Sequence, residues 1–411
     1  MHKNKFDSEG LNHSTSAICD THRKKILTLE RIEIIQRLAD VDAKRWNNLA
    51  GNNPFLRHEF LNNLETSRCV CAETGWEPRH ILIWRESELV GAMPLYLKHH
   101  SYGEYIFDWA WADAYQRHGL DYFPKLSSAI PFTPVSGERL LSAEPEVRKQ
   151  LAQAALELAK ELGVSSLHIL YPCGPQASEL AQSGYLSRDS TQFHWENKAY
   201  ESFDAFLAEM SHDKRKRIKQ ERRKLAEQNV KFQRLDGGAI KLSDWQFFNR
   251  CYQTTYRQHH SSPYLNLEFF TSLGRDMPEN IVLFNAHMDN RPIAASLCLK
   301  NDERLFGRYW GSEIYLPGLH FETCYYQGID YCIENQLRIF EGGVQGEHKI
   351  ARGLLPVKTF SNHWLAHPQF SSAIADFLAR ESVGVARYVD ELNDMAPFKN
   401  QDEKKAAQGE P

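Results

Sequence analysis

Between Phe340 and Gly353 the chain reads Phe-Glu-Gly-Gly-Val-Gln-Gly-Glu-His-Lys-Ile-Ala-Arg-Gly, directly after an apolar run with the look of a strand. Glycines let backbone N–H groups come close to a ligand, and the ionisable side chains between them offer acid, base and anion contacts. Glu347 or His348 can accept a proton, because histidine and carboxylates of raised pKa titrate near working pH. Lys349 and Arg352 can hold a phosphate or carboxylate, the arginine with two parallel hydrogen bonds. The alternative is a salt-bridged polar loop that closes a sheet.

A second candidate runs from Asp108 to Tyr115, where Asp108 and Asp113 sit among Trp109, Trp111 and Tyr115. Aromatic rings beside carboxylates suit sugar stacking or cation recognition, and His118 and Lys125 are near enough to pair with the acids. The competing reading is a core segment with two helix-capping aspartates. A third candidate is Ser211 to Glu227, which carries eight Lys/Arg against three Asp/Glu in a chain of net charge -4. Concentrated basic charge favours a phosphate-rich partner through counterion release, although a charged helix also serves as a solvated face. His99-His100 and His259-His260 do not read as metal sites, since adjacent histidines point apart and no third ligand has suitable spacing. No metal is expected.

The elements that must position these residues follow from periodicity. Residues 1–25 are polar and read as a flexible leader, without the apolar core of a signal peptide. A strand over 26–35, helices near 40–50 and 57–67, strands at 80–84 and 89–98, a sheet extension at 105–108, a helix over 144–162 and a strand at 167–171 make a first unit. The order recurs: a strand at 230–235, a helix from 243 to 256 with Ser243 as N-cap, a short helix at 267–273, strands at 281–287, 293–300 and 304–310, a helix at 321–334 and a strand at 337–341. Residues 203–229 between the units read as helical, 370–392 as a closing helix and 396–411 as a disordered tail.

At 411 residues, two domains are the natural expectation, and 42% hydrophobic content with nine tryptophans fits a packed globular chain. The net negative charge argues against a dedicated nucleic-acid binder. Scattered cysteines without a C-x-x-C pair fit reduced, mostly buried thiols. No run approaches the roughly 18 apolar residues of a membrane helix, so a cytoplasmic protein with no integral membrane segment is expected.

Strand–helix–helix–three strands–helix–strand is the element order of the GNAT acyltransferase fold. Pro54-Phe55-Leu56 with His58-Glu59-Phe60, Gly91 to Lys98, His100 to Tyr105, Phe107 to Tyr115 and Pro131 to Val135 mark the first unit. Gly307-Arg308-Tyr309-Trp310-Gly311, His320-Phe321-Glu322, Cys324 to Ile329 and the Gly-rich loop mark the second. With these residues, and over about residues 54–378, the chain resembles the Fem-like branch of the GNAT superfamily, described as predicted N-acyltransferases or peptidoglycan biosynthesis/recognition proteins.

The resemblance implies an α/β (α+β) fold of two GNAT-like domains with mixed central sheets, at about 26–190 and 191–375. A basic linker helix would lie at 211–227, with the C-terminal helix and tail at 376–411. It implies an N-acyltransferase that moves an acyl or aminoacyl group to an amine, with acyl-CoA or aminoacyl-tRNA as donor and a small-molecule or muropeptide-like acceptor. The basic helix would serve tRNA or a nucleotide-linked precursor. A donor arm would enter beside the strand 304–310 and meet the helix that starts near His320. That places Arg308, Trp310, His320 and Glu322 at the substrate, with Tyr326 to protonate a leaving group.

Glu322 and Tyr326, four apart, share one helix face. Pro356 to Phe360 is similar to a Fem segment whose lysine touches a substrate phosphate, which would be Lys358. The Gln/Arg-x-x-Gly-x-Gly/Ala phosphate loop of CoA-dependent GNAT enzymes does not occur between 310 and 319. A catalytically silent binding module of the same fold and a CoA-dependent small-molecule N-acetyltransferase remain as alternative readings.

Overall fold

The structure, a computed structural model, describes residues 30–344 and 346–399. The expected leader, residues 26–29 of the expected first strand and residues 400–411 of the expected tail lie outside them. In the first half β1 (Glu30–Ile35) leads to α1 (Ala43–Ala50), α2 (His58–Thr66) and four strands: β2 (Trp76–Pro78), β3 (His80–Arg85), β4 (Glu88–Met93) and β5 (Tyr96–Lys98). Next come α3 (Trp109–Arg117), β6 (Lys125–Ser128), α4 (Pro145–Glu161), β7 (Ser166–Leu170), α5 (Gly174–Gln182) and β8 (Leu186–Glu196).

The second half begins with α6 (Phe203–Ala208) and α7 (His212–Glu227), then β9 (Val230–Asp236), α8 (Leu242–Gln258) and α9 (Leu267–Asp276). Strands β10 (Ile281–Met288), β11 (Arg291–Lys300) and β12 (Arg304–Ser312) follow. The helix after them runs over residues 319–334 as α10, with a π-helical stretch at Glu322–Tyr326. The chain closes with β13 (Ile339–Glu341), β14 (Leu355–Leu365) and α11 (Pro368–Asp394).

This is a tandem GNAT-like arrangement of mixed α/β structure, with the two halves joined through one sheet. Strands β1, β3 and β4 form a three-stranded sheet, and the other eleven run in the order β2-β5-β6-β7-β14-β8-β13-β12-β11-β10-β9. Two neighbours in that sheet are parallel, β6 with β7 and β12 with β13, one pair in each half. The halves exchange their last strands. β14 pairs with β7, β8 pairs with β13, and β8 and β14 pair with each other from Leu355↔His194 to His363↔Leu186. The expected junction at 190/191 therefore lies inside β8.

Alternation along β10 shows why its strand is apolar on both faces. Ile281 and Leu283 join one buried cluster with Phe269, Phe270 and Leu297, while Val282 and Phe284 join another with Ile329 and Phe340. Each such side chain contributes roughly 1.5–3 kcal/mol on burial. At Gly311 the backbone of α8 comes so close to β12 that an added Cβ would lie 2.0 Å from the Cys251 carbonyl oxygen.

Four expectations are corrected. Residues 105–108 do not extend the sheet. Tyr105 is in the left-handed region (φ +60°), and the segment turns into α3. Ser243 does not cap α8. Lys241 holds that position, with its backbone N–H bonded to Asp244 at 2.9 Å. The expected strand 89–98 breaks after Met93 into β4 and β5, because Pro94 cannot donate to the ladder. Residues 396–399 are pinned rather than free, since Phe398 bridges to Met210 and the Pro397 carbonyl accepts from the Ser211 N–H at 2.9 Å.

Candidate functional site

Strands β12 and β13 pair over only three positions, Arg304↔Ile339, Leu305↔Phe340 and Phe306↔Glu341. Beyond them the strands part. Gly342 donates to the Phe193 carbonyl of β8 at 2.8 Å, and Phe193 donates back to Gly343 at 3.2 Å, so the chain after β13 follows β8 instead of β12. The opening left beside β12 is a cavity of about 310 Å³. Gly307, Arg308, Tyr309 and Trp310 of β12 form its spine.

To one side of that spine lie Tyr252, Thr255, Tyr256 and His259 of α8, Ser261 after it, and Tyr105 from the first half. To the other lie His320, Cys324 and Tyr325 of α10, with Phe340 and Gly342; Ser296 completes the lining. The cavity thus runs along one strand edge, with α8 and the Tyr105 loop contributing to its wall together with α10.

None of these lining residues is Asp or Glu. The proton chemistry available is that of imidazole, phenol and hydroxyl groups. Burial, followed by the charges of His348, Lys349 and Arg352, lowers the His320 pKa to about 4, so its ring is neutral and able to accept a proton. Its ring lies 5.0 Å from that of Trp310 and 5.4 Å from that of Tyr325. Burial pushes the Tyr325 phenol up, which makes it a donor rather than an anion, and its hydroxyl lies 3.2 Å from His348 Nε2. The π-helical turn sets this geometry, because it brings His320 and Tyr325, five residues apart, to one face.

Tyr105 reaches the cavity because its loop is bolted down. Lys125, fully buried, bonds Ser101 at 2.8 Å, Glu104 at 2.8 Å and Asp108 at 2.5 Å, and Tyr171 donates to the Tyr105 carbonyl at 2.8 Å.

Comparison with protein families gives a match over residues 37–400 to the FemAB-like model, described as peptidoglycan biosynthesis/recognition. The chain belongs to the FemAB-like family. Among solved structures, FemX aligns with 82% of this chain and 98% of its own at 10% identity and a TM-score of 0.53. The C-terminal DUF2156 domain of a lysylphosphatidylglycerol synthetase candidate from Agrobacterium fabrum aligns with 83% of this chain and 97% of its own, at 8% identity and a TM-score of 0.51. At such identities the likeness is one of fold. No curated protein matches the sequence.

Of the residues expected at a substrate, Arg308, Trp310 and His320 of this FemAB-like chain line the cavity. Glu322 and Tyr326 do share a helix face, but it is the face turned to α7. Glu322 is buried against Arg222 at 3.1 Å, and the Tyr326 hydroxyl donates to Glu221 at 2.5 Å. The tyrosine at the cavity is Tyr325, one residue earlier.

In the Gly-rich loop, Glu347 is exposed and accepts from Tyr388 at 2.9 Å, so it is not among the lining residues. His348 does not line the cavity itself and meets two residues that do, Tyr325 at 3.2 Å and the ring of His320 at 6.1 Å between centroids. Lys349 is buried, which lowers its pKa to about 8. Arg352 is no open anion clamp. Its guanidinium is buried, bonds Glu221 at 3.0 Å and the His348 carbonyl at 2.7 Å, and stacks on Phe321 at 3.4 Å.

Asp108, Trp109 and Asp113 do not gather into a site. Asp108 is buried; burial alone would raise its pKa, yet the Lys125 ammonium holds it well below the carboxylate range. Trp109 is exposed beside Tyr102, and Asp113 pairs with Arg117 at the surface. Lys125 does pair with an acid as expected, whereas His118 bonds the Ala114 carbonyl. Lys358 pairs with Asp189 at 2.8 Å.

Much of the basic charge of α7 is countered locally, through Arg217 with Glu221, Lys219 with Asp204, Arg222 with Asp330 and Arg223 with Glu227. Lys216 and Lys224 stay exposed. Among the described residues no group of three His, Cys, Asp or Glu has the geometry to hold a metal ion, the described cysteines are free, and no helix is long and apolar enough to cross a membrane.

Sequence reasoning missed Tyr105, Tyr256, His259 and Tyr325. A signal did exist on α8, where Tyr252, Tyr256 and His259 recur at helical spacing as one stripe.

Proposed function

We propose that this FemAB-like protein transfers an acyl or aminoacyl group to an amine in the cavity beside β12. The observation that carries the reading is the parting of β12 from β13 after Phe306, which exposes one strand edge to reactants from both sides. The acceptor amine enters from the side of Tyr105 and Tyr256, and the donor carbonyl lies along β12 from the side of His320 and Tyr325. The amine attacks the carbonyl, a C–N bond forms, and the bond to the donor's sulfur or ester oxygen breaks. Neutral His320 takes the proton released by the amine, and Tyr325 supplies one to the leaving group. His348, within hydrogen-bond distance of the Tyr325 hydroxyl and exposed, returns a proton to it while taking one from solvent at its other ring nitrogen, and His320 releases its own proton to solvent.

Aminoacyl-tRNA and acyl-CoA are the two donor classes that fit. The first draws support from exposed lysines on α7, and the second from the cavity's position alone. The acceptor is an amine-bearing small molecule or muropeptide-like compound. The test is transfer from acetyl-CoA, a longer acyl-CoA and aminoacyl-tRNA to a UDP-linked muropeptide, with Tyr325→Phe and His320→Asn beside the unaltered protein. Loss of a positioned proton donor or acceptor lowers turnover by about 10²–10⁴-fold. Full activity in both variants sinks the reading.

A further inference from the structure

We infer that the molecule entering from the side of Tyr105 carries a carboxylate, and that Arg308 binds it. Naming it as the amine acceptor rests on the transferase reading; the binding itself does not. Arg308 is the one residue with a permanent charge among the described residues that line the cavity, and none of the others is an acid. No Asp or Glu among the described residues lies within ion-pair distance of its guanidinium.

The side chain is placed, not loose. Leu297 pairs with Tyr309 and Cys298 with Gly307, which leaves Arg308 as the extra residue of a β-bulge, and a bulge re-aims the side chain it carries. Nη2 donates to the Phe132 carbonyl at 2.9 Å, and the guanidinium lies 5.3 Å from the ring of Tyr309 and 5.7 Å from that of Phe55. Nε is buried with no acceptor. An unpaired buried donor on a charged group is costly, so native proteins keep few of them.

A carboxylate offers two oxygens that a guanidinium can meet with parallel hydrogen bonds. Its single charge matches the single cation, whereas a phosphate dianion would leave excess negative charge in a cavity without a second permanent cation. The cavity's size suits a short amino-acid or peptide end rather than a large anion.

The test is direct binding to the full chain, without turnover, using alanyl-alanine, alanyl-alaninamide and inorganic phosphate as probes in calorimetric titrations. The dipeptide acid is expected to bind about ten-fold or more tightly than its amide, as a charge-assisted paired contact requires. Arg308→Gln should abolish that preference. Arg308→Lys, which keeps the charge and a donor for Phe132 but not the fork, should retain part of it. Circular dichroism of both variants checks the fold, and the Lys variant keeps the comparison decisive if the Gln variant unfolds. Equal binding of acid and amide, no binding of either, a preference for phosphate, or a preference unchanged in the variants would each overturn the assignment. The transfer assay fails or succeeds separately, so a lost transferase reading is not mistaken for a lost carboxylate site.

Discussion

Lys125→Met should unfold the protein more readily than any other single change to the Tyr105 loop. Lys125 is fully buried and bridges Glu104 and Asp108, which are themselves buried and each retain one oxygen without a partner. Removing the cation leaves two carboxylates in a low-dielectric pocket, with the Tyr122 hydroxyl still donating to Asp108. Breaking a buried ion pair in this way costs about 3–5 kcal/mol, a large share of the roughly 5–15 kcal/mol that holds a folded domain together.

The three partners should rank in a fixed order. Burial already raises the Glu104 pKa towards the neutral acid, so Glu104→Gln should cost only about 1 kcal/mol. Asp108→Asn removes the carboxylate that Lys125 holds ionised but leaves Glu104 as partner, and it should fall between the two. The double variant Lys125→Met/Asp108→Asn should recover about 2 kcal/mol of the single loss, because a neutral pair no longer buries charge. Urea unfolding followed by circular dichroism gives each value. A Lys125→Met cost under about 1 kcal/mol, or one below that of Glu104→Gln, would refute the view that this cluster is the anchor of the loop.

Acid should destabilise the protein before its carboxylates titrate. The folded pKa values of His168 and His320 are lowered by burial to about 3 and about 4, below the unfolded value of 6.5, so the unfolded chain takes up protons first and stability falls as pH drops below 6.5. Each histidine should cost about 2 kcal/mol between pH 7 and pH 5; urea midpoints at both values, with His320→Asn losing one share of the slope, check this. Tyr326→Phe should cost about 1.5–3 kcal/mol in stability through its bond to Glu221 and leave transfer intact. A comparable loss of turnover without loss of stability would mean that Tyr326, not Tyr325, faces the reactants.

Element order was readable because the local signals agree. On α4, Val147, Leu151, Ala155 and Leu158 repeat at helical spacing and are all buried, and β10 opens on the continuous apolar run Ile281 to Phe284. β8 was not readable. Its Ser187 to Gln192 stretch is polar because one side is half-exposed under α11, where Arg188 pairs with Glu381 and Asp189 accepts from Ser382. The choice of Tyr325 over Tyr326 could not be read either, since a π-turn changes which residues share a face and leaves no mark in periodicity. Arg352 and Glu347 looked like site residues by type and spacing. What decides their use is Glu221 and Tyr388, partners 131 and 41 residues away along the chain.

The two halves fill the space beside their parallel strand pairs differently. In the first half the parallel pair β6–β7 also covers three positions, Leu126↔Leu167 to Ser128↔Ile169, and the chain beyond it parts as it does in the second half. There Arg139 enters, fully buried, and donates to the carbonyls of Leu170, Val135 and Glu138, while Gln176 bonds the backbone on both sides of it. The strand edge is filled by protein. In the second half the first residue of β12 beyond the paired stretch is Gly307, and the atoms nearest its missing side chain are those of the Phe340 ring and the Glu341 carbonyl. The first half supplies the Phe132 carbonyl that accepts from Arg308 and the Tyr171 hydroxyl that donates to the Tyr105 carbonyl, so both halves shape the cavity wall.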